Sequence, residues 1–547
     1  MKKILNIGVY ISAIVLLSMA SCSDRDDYNT APELQDGANV TLWEKISSTS
    51  NLQQFSQLLK KVGYDQILTT ATVQTIWAPV DGSYDAAELL NSDSAEVLNH
   101  FVKNHISFYS HTLKAGESER ITTLNNKSFE FSEQQFGEQP VQEMNIPCSN
   151  GFLHTINGKQ HFYPNIYEYI SSSEGIDSVK NYFKRFEETY LDEKNSVLGP
   201  VVGGRQTYID SVMVTTNSLF SRFRAYIHRE DSNYMALLPT NDAWNTAYKR
   251  MASYFTYATK TISQSLELPD VSSKPQTKTK TIDAAEYKDS LSRYSIMSNI
   301  FFNANDYYNQ WAVGNPEAQT SDTLLSTRST YLINGPEILS RSIYNETMSN
   351  GVIHILDSLA FLPSVWSPRI MVSAISSTYR PRTASCNPTS VWMDIEDMDI
   401  TKIQEGQDTI MHYLDMVPTG KYVYPTVSFF LPNILSTTYE IFAVIFPADI
   451  EKDFEGDIKP NKFQAILNYS DAKGTLKSKT LGKTFENDPT KVDYVSLGKF
   501  TFPVAYRGLG EYYPDLEIKS TVKPTSSELK KYDTEIRIAA IILNPVN

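Results

Sequence analysis

Apolar residues follow two regimes along this chain, with a change near Leu362-Pro363. Before it they recur at helical spacing. Leu52, Phe55, Leu58, Leu59 and Val62 form one stripe, which predicts a helix capped by Asn51 and ended by Gly63. Val179, Tyr182 and Phe183 open another helical region. Between such helices stand short apolar runs that read as buried strands, Thr75 to Asp81 and Tyr234 to Pro239. After Pro363 helical spacing fades and alternation takes over, in Tyr439 to Phe446, Phe463 to Tyr469, Phe500 to Val504 and Glu535 to Leu543. Pro, Gly, Asn and Asp separate these runs, a pattern that predicts an antiparallel β-sandwich.

One pattern occurs twice. Ser149-Asn150-Gly151-Phe152-Leu153-His154 and Ser349-Asn350-Gly351-Val352-Ile353-His354 each read as an Asn-Gly turn followed by a strand that carries one histidine. The copies lie about 200 residues apart, the spacing of a duplicated domain rather than of a solenoid.

Composition fits three or so globular domains in 547 residues, with 41% hydrophobic and 20% charged side chains. The formal charge of -14 argues against nucleic acid or an anionic lipid surface as a partner recognised through a broad basic face. At the start, Lys2 and Lys3 precede a short apolar run from Ile4 to Met19, which predicts a cleaved signal peptide over residues 1–21. Met19-Ala20-Ser21-Cys22 resembles the bacterial lipobox, with Met where Leu is usual, and implies lipidation of Cys22. Ser23-Asp24-Arg25-Asp26-Asp27 is similar to the acidic signal that sends lipoproteins of Bacteroidetes to the outer face of the outer membrane; it equally suits a solvated tether. The polar stretch over residues 22–38 reads as that tether. Cys148 and Cys386 fall in different predicted domains, so no disulfide framework is expected.

Further residues carry a family resemblance. Trp77-Ala78-Pro79-Val80-Asp81 and, more closely, Leu238-Pro239-Thr240-Asn241-Asp242-Ala243-Trp244 resemble the first sequence box of fasciclin domains, and the Asn-Gly strands resemble the second. In the first copy Val80 stands for the usual Thr, and Tyr84 for the final Phe. The resemblance implies an α+β chain: fasciclin-like β-wedges with packed helices over 39–172 and 173–363, then the sandwich over 364–547. The second wedge holds a long insertion, in which residues 263–281 look like an exposed loop. The final strand is similar to that of galactose-binding-like jelly rolls. In the family the repeated histidine is structural, so His154, His354, Asn350, Gly351, Pro239 and Thr240 are expected to mark the fold rather than a catalytic centre.

Few residues suggest chemistry. Asp394, Glu396, Asp397 and Asp399 are dense enough to consider for Ca²⁺, although no glycine turn accompanies them. Lys274 to Lys280 is a mildly basic, Thr-rich stretch, more in keeping with a solvated loop than with an anion site. Tyr512 and Tyr513, and Tyr422 and Tyr424 around Pro425, sit in loop-like contexts beside acids and amides. There their rings suit either the C–H face of a sugar or simple edge packing. No phosphate-binding glycine loop, nucleophile elbow or zinc signature occurs, so the chain is not expected to be an enzyme, and no cofactor is implied. The resemblance in class implies a surface lipoprotein with a binding role. It would serve as an accessory to an outer-membrane TonB-dependent transporter and its lid lipoprotein in glycan or peptide uptake. An adhesin is the alternative, and a degradative enzyme a more distant one.

Overall fold

The computed structural model describes residues 39–194, 196–210, 213–259, 261–262, 280–281, 283–315, 321–510 and 513–546. The signal segment, Cys22, the tether, most of the 263–281 stretch and Tyr512 lie outside the described residues.

The first unit begins with α1 (Leu42–Ser48), capped by Thr41 and Glu44 in a reciprocal capping box, and α2 (Gln53–Lys61). The cap of α2 differs from the sequence expectation. Asn51 is not its cap; the carboxylate of Asp81 accepts from Gln53 N at 2.9 Å and Gln54 N at 2.8 Å. A side chain from a distant turn thus satisfies the orphan amides. Asp81 follows β1 (Gln74–Pro79), which lies inside a seven-stranded sheet with β2 (Ile106–Phe108), β3 (Ser118–Thr122), β4 (Ser128–Ser132), β5 (Gln135–Phe136), β6 (Gln139–Cys148) and β7 (Gly151–Ile156). Their order is β2-β1-β7-β6-β5-β4-β3. β1 and β7 run parallel, with Trp77 beside His154. α1, α2, Val102 and Ile106 cover one side of this pair, while Trp77, Phe131 and Phe136 fill a separate core on the other.

The second unit repeats that pairing in the same register. β12 (Tyr234–Pro239) runs parallel to β15 (Gly351–Leu356), flanked by β13 (Phe301–Asn303) and β14 (Ser342–Met348). The box asparagines act identically. Asn150 accepts from Leu42 N and donates to the carbonyls of Leu68 and Thr70, all at 2.8 Å. Asn350 accepts from Ile166 N at 2.9 Å and donates to the carbonyls of Ile227 and Arg229. Each therefore ties the first helix of its unit to the loop before the parallel strand.

This tie moves the first domain boundary. α3 (Ile166–Ser172), assigned by sequence to the first wedge, buries Ile166, Tyr167 and Ile170 in the core of the second. That unit also includes α4 (Asp177–Lys184), α5 (Asn241–Tyr254, capped by Thr240) and α6 (Ala284–Met297). An outlying ribbon pairs β8 (Glu187–Leu191) with β11 (Met213–Asn217), and β9 (Val197–Val202) with β10 (Arg205–Asp210).

Two antiparallel sheets make the last unit. One orders β18 (Cys386–Trp392), β19 (His412–Pro418), β26 (Ile536–Pro545), β21 (Thr438–Phe446) and β24 (Asp493–Thr501), with β16 (Ile370–Ser373) also on β26. The other orders β17 (Arg382–Ala384), β20 (Thr426–Phe430), β25 (Asp515–Ser520), β22 (Lys462–Ser470) and β23 (Leu476–Glu486). No apolar gap separates this sandwich from the second wedge: one buried cluster runs from Ile166 to Leu543. Tyr257 Oη also donates to Arg507 O at 2.6 Å across the seam.

The first wedge meets the second through one buried cation. Lys127, in the β3–β4 turn, has a side chain only 3% exposed. Its Nζ donates to Glu168 at 2.6 Å and Glu230 at 2.7 Å, and lies 5.0 Å from the centre of the Phe162 ring. Removing one partner of a buried ionic cluster strands the others, at a cost of about 3 kcal/mol where one carboxylate keeps some solvent. Lys127→Met is therefore expected to lower the unfolding free energy of the first wedge by that amount, read as a lower denaturant midpoint. An unchanged midpoint would show that the cluster does not couple the units.

Candidate functional site

A cleft of about 530 Å³ opens between the first wedge and the β8–β11 ribbon of the second. The segment after β2 supplies one wall. Tyr109 adopts φ 70°, a region that bulky side chains rarely occupy. Two bonds hold it there: Tyr109 N donates to Val73 O at 3.0 Å, and Thr75 Oγ1 donates to Tyr109 O at 2.8 Å. The same hydroxyl accepts from His111 N at 3.0 Å. The result is a ring left 46% exposed at the cleft.

The repeated histidine supports this wall from behind. His154 is fully buried against Trp77, with ring centres 5.3 Å apart. Its Nδ1 accepts from Asn145 N at 3.1 Å, so the proton sits on Nε2, which donates to His111 O at 3.0 Å. Burial, the largest influence, lowers its pKa to about 4, so the ring is neutral at pH 7. His354 differs. Its Nδ1 meets Ser342 Oγ at 3.2 Å, while Nε2 is buried with no partner among the described residues. The motif's histidine thus holds a loop in the first wedge and has no such loop to hold in the second.

The floor is one face of the β3–β4 hairpin. Alternation turns Arg120 and Thr122 outward while Ile121 enters the core, and the register sets Arg120 opposite Glu130 and Thr122 opposite Ser128. Asn126, at φ 64°, closes the turn. Across the cleft stand Asp192, Met213 and Thr215 of the ribbon region, and His228. The His228 ring stacks on Phe220 at 4.1 Å, with Nδ1 unpartnered among the described residues; burial, then nearby Arg229, keeps its pKa below the usual histidine value. Arg120 also lines a second cavity of about 300 Å³, with Lys127, Ser128, Glu130, Glu138 and Tyr163. Arg120 is the residue that the two cavities share.

The tyrosines singled out by sequence do not form one site. Tyr513 is half-buried, its ring 5.7 Å from Phe430 and 6.1 Å from Tyr379. Tyr422 and Tyr424 are 73% and 37% exposed, but they precede Thr426, the far end of β20 from Phe430. Five residues of strand, roughly 3.3 Å each, separate the two groups. The acidic cluster does not converge either. Asp399 caps the turn Ile400–Lys402 by accepting from Thr401, and Asp397 N bonds Asp394 O in a tight turn. Among the described residues no group of three or more His, Cys, Asp or Glu side chains is placed to hold a metal ion. The thiols of Cys148 and Cys386 are both free.

No sequence pattern pointed to Tyr109, Arg120 or the ribbon. The cleft is assembled from two units, and its strained tyrosine is set by β1 contacts more than 30 residues away along the chain.

Comparison with known proteins agrees on the first wedge: residues 50–158 match the fasciclin domain model and form a fasciclin domain. No curated relative matches the chain. Solved structures with some likeness include the FAS1 domain pair of the insect cell adhesion molecule Fasciclin I, at 13% identity and TM-score 0.19 over 58% of this chain and 98% of that one. The CBM22-1–GH10 modules of the Clostridium thermocellum xylanase 10B align at 8% identity and TM-score 0.20, over 32% of this chain and 28% of that one. A xylan-binding CBM22 domain aligns at 14% identity and TM-score 0.17, over 26% and 78%. TM-scores this low carry no argument about arrangement or activity.

Proposed function

We propose that this chain, with its fasciclin domain at residues 50–158, is a surface lipoprotein that binds an extracellular ligand in the cleft between its first two units. Lipidated Cys22 would anchor it to the outer face of the outer membrane, and it would serve a TonB-dependent transporter and lid-lipoprotein pair as an accessory subunit. The cleft carries this reading. It falls within the size range of ligand sites, joins two units, and exposes a ring that the backbone is strained to present. The reading includes no catalytic step, since the repeated histidines serve packing and support.

The test is purification from detergent-solubilised outer membranes through a C-terminal tag, after labelling of intact cells with a membrane-impermeant reagent. The expected result is a labelled protein that brings down a transporter and a second lipoprotein. A protein that escapes labelling, or purifies alone, would refute the uptake role. The fasciclin domain favours a second reading, adhesion, in which a deletion strain loses attachment while its growth on every glycan is unchanged.

A further inference from the structure

Resting on the binding role just proposed, we infer that the two cavities that meet at Arg120 form one groove for a linear carbohydrate chain, with a uronate unit seated on Arg120. Three observations lead there. The groove is floored by hydroxyl, carboxylate and guanidinium groups of a single hairpin face, Arg120, Thr122, Ser128 and Glu130. A hydroxyl-rich ligand fits such a floor. Each cavity also presents a partly exposed tyrosine, Tyr109 at 46% and Tyr163 at 43% exposure. Such rings cover the C–H faces of sugars and leave the hydroxyls to polar neighbours.

The cations decide the charge of the ligand. Lys127 is consumed by Glu168 and Glu230. Arg120 makes no ion pair with a carboxylate among the described residues, although Glu130 faces it across the strands. The planar guanidinium of an arginine that lines both cavities matches a carboxylate bidentately, which is the group that distinguishes a uronate from a neutral sugar.

An extended peptide is the rival occupant, since β3 is the last strand of its sheet and could take another alongside. The edge is partly blocked. Ser107 Oγ already donates to Thr122 O at 2.7 Å, and Leu124 N to Ile106 O at 2.8 Å, so β2 closes over the end of the strand.

The test uses the full mature chain in affinity electrophoresis through gels containing polygalacturonate, neutral galactan or a casein digest. The expected result is retardation by polygalacturonate that weakens with added NaCl and exceeds that by galactan. Tyr109→Ala and Arg120→Gln should each weaken it at least tenfold, and Tyr422→Ala should not change it. Arg120 is exposed, so Arg120→Gln is expected to keep the wild-type melting temperature and serves as the variant free of folding effects. Absence of retardation by polygalacturonate, equal retardation of Arg120→Gln, or preference for the casein digest would each overturn the inference. None of these bears on co-purification with a transporter, so the uptake reading stands or falls separately.

Discussion

Gly351→Ala is expected to destabilise the second wedge by more than about 4 kcal/mol, well beyond an ordinary point substitution. Gly351 sits at φ +145°, where an added Cβ would lie 1.8 Å from Tyr234 O and 2.8 Å from Tyr234 N and C. Those are backbone atoms of the register partner in the parallel pair, and they cannot swing away as a side chain tip can. Relief requires separating β12 from β15, which breaks the Tyr234 N–Asn350 O bond of 3.0 Å and draws Asn350 off the carbonyls it staples. Gly203→Ala is the control. Gly203 also has positive φ, at +60°, but open space around it, so about 1 kcal/mol is expected. Urea denaturation of both variants decides the matter: a Gly351→Ala midpoint no lower than that of Gly203→Ala would show that the close approach is not a constraint.

The same substitution should report on cooperativity. Because one apolar cluster joins the second wedge to the sandwich, Gly351→Ala is expected to lower the unfolding of both together. The first wedge has cores of its own and meets its neighbour mainly through Lys127 and its partners. Two transitions follow from this division, the smaller one belonging to the first wedge.

What could be read from sequence was what is local. Asn150-Gly151 and Asn350-Gly351 name their strands because the turn and the alternation are contiguous, and three of the four β-runs after Pro363 fall on observed strands for the same reason, while Phe500 to Val504 overruns a strand that ends at Thr501. What escaped was non-local. Asp81 reads as a turn residue, yet it caps α2 from 27 residues away, and Asn241 in the matching position accepts from Ser178 N at 2.9 Å. Lys127 reads as a solvated turn lysine until Glu168 and Glu230 are brought to it. α3 was placed in the wrong wedge because only its contact with Asn350, 184 residues on, reveals its allegiance. The candidate site suffered most. Exposed tyrosines of the sandwich drew attention by composition, whereas Tyr109 matters through a backbone angle that composition does not encode.

Acid should destabilise the first wedge most. His105 and His154 are both buried, and burial is the main cause that lowers each pKa from 6.5 to about 4. Geometry reinforces it. His105 Nδ1 donates to Phe101 O at 2.7 Å, so Nε2 must stay bare to accept from Gln160 N at 2.9 Å. His154 likewise needs a bare Nδ1 for Asn145 N. Protons thus bind more tightly to the unfolded chain. The stabilisation is complete above the unfolded value of 6.5 and is lost as pH falls from there towards about 4. Each histidine contributes on the order of 3 kcal/mol across that window, enough together to consume much of a small domain's stability. In the other units burial also lowers His228, His354 and His412, which are less deeply buried, and the lowered carboxylates, such as Asp231 and Asp408, lose their contribution only below 3.8. Calorimetry of the full chain at pH 7.5 and 4.5 is therefore expected to show the smaller transition moving down far more than the larger. Equal shifts, or none, would show that the two rings are not held neutral. The first wedge supplies most of the cleft lining, so any ligand of that cleft should be released as that wedge unfolds in acid.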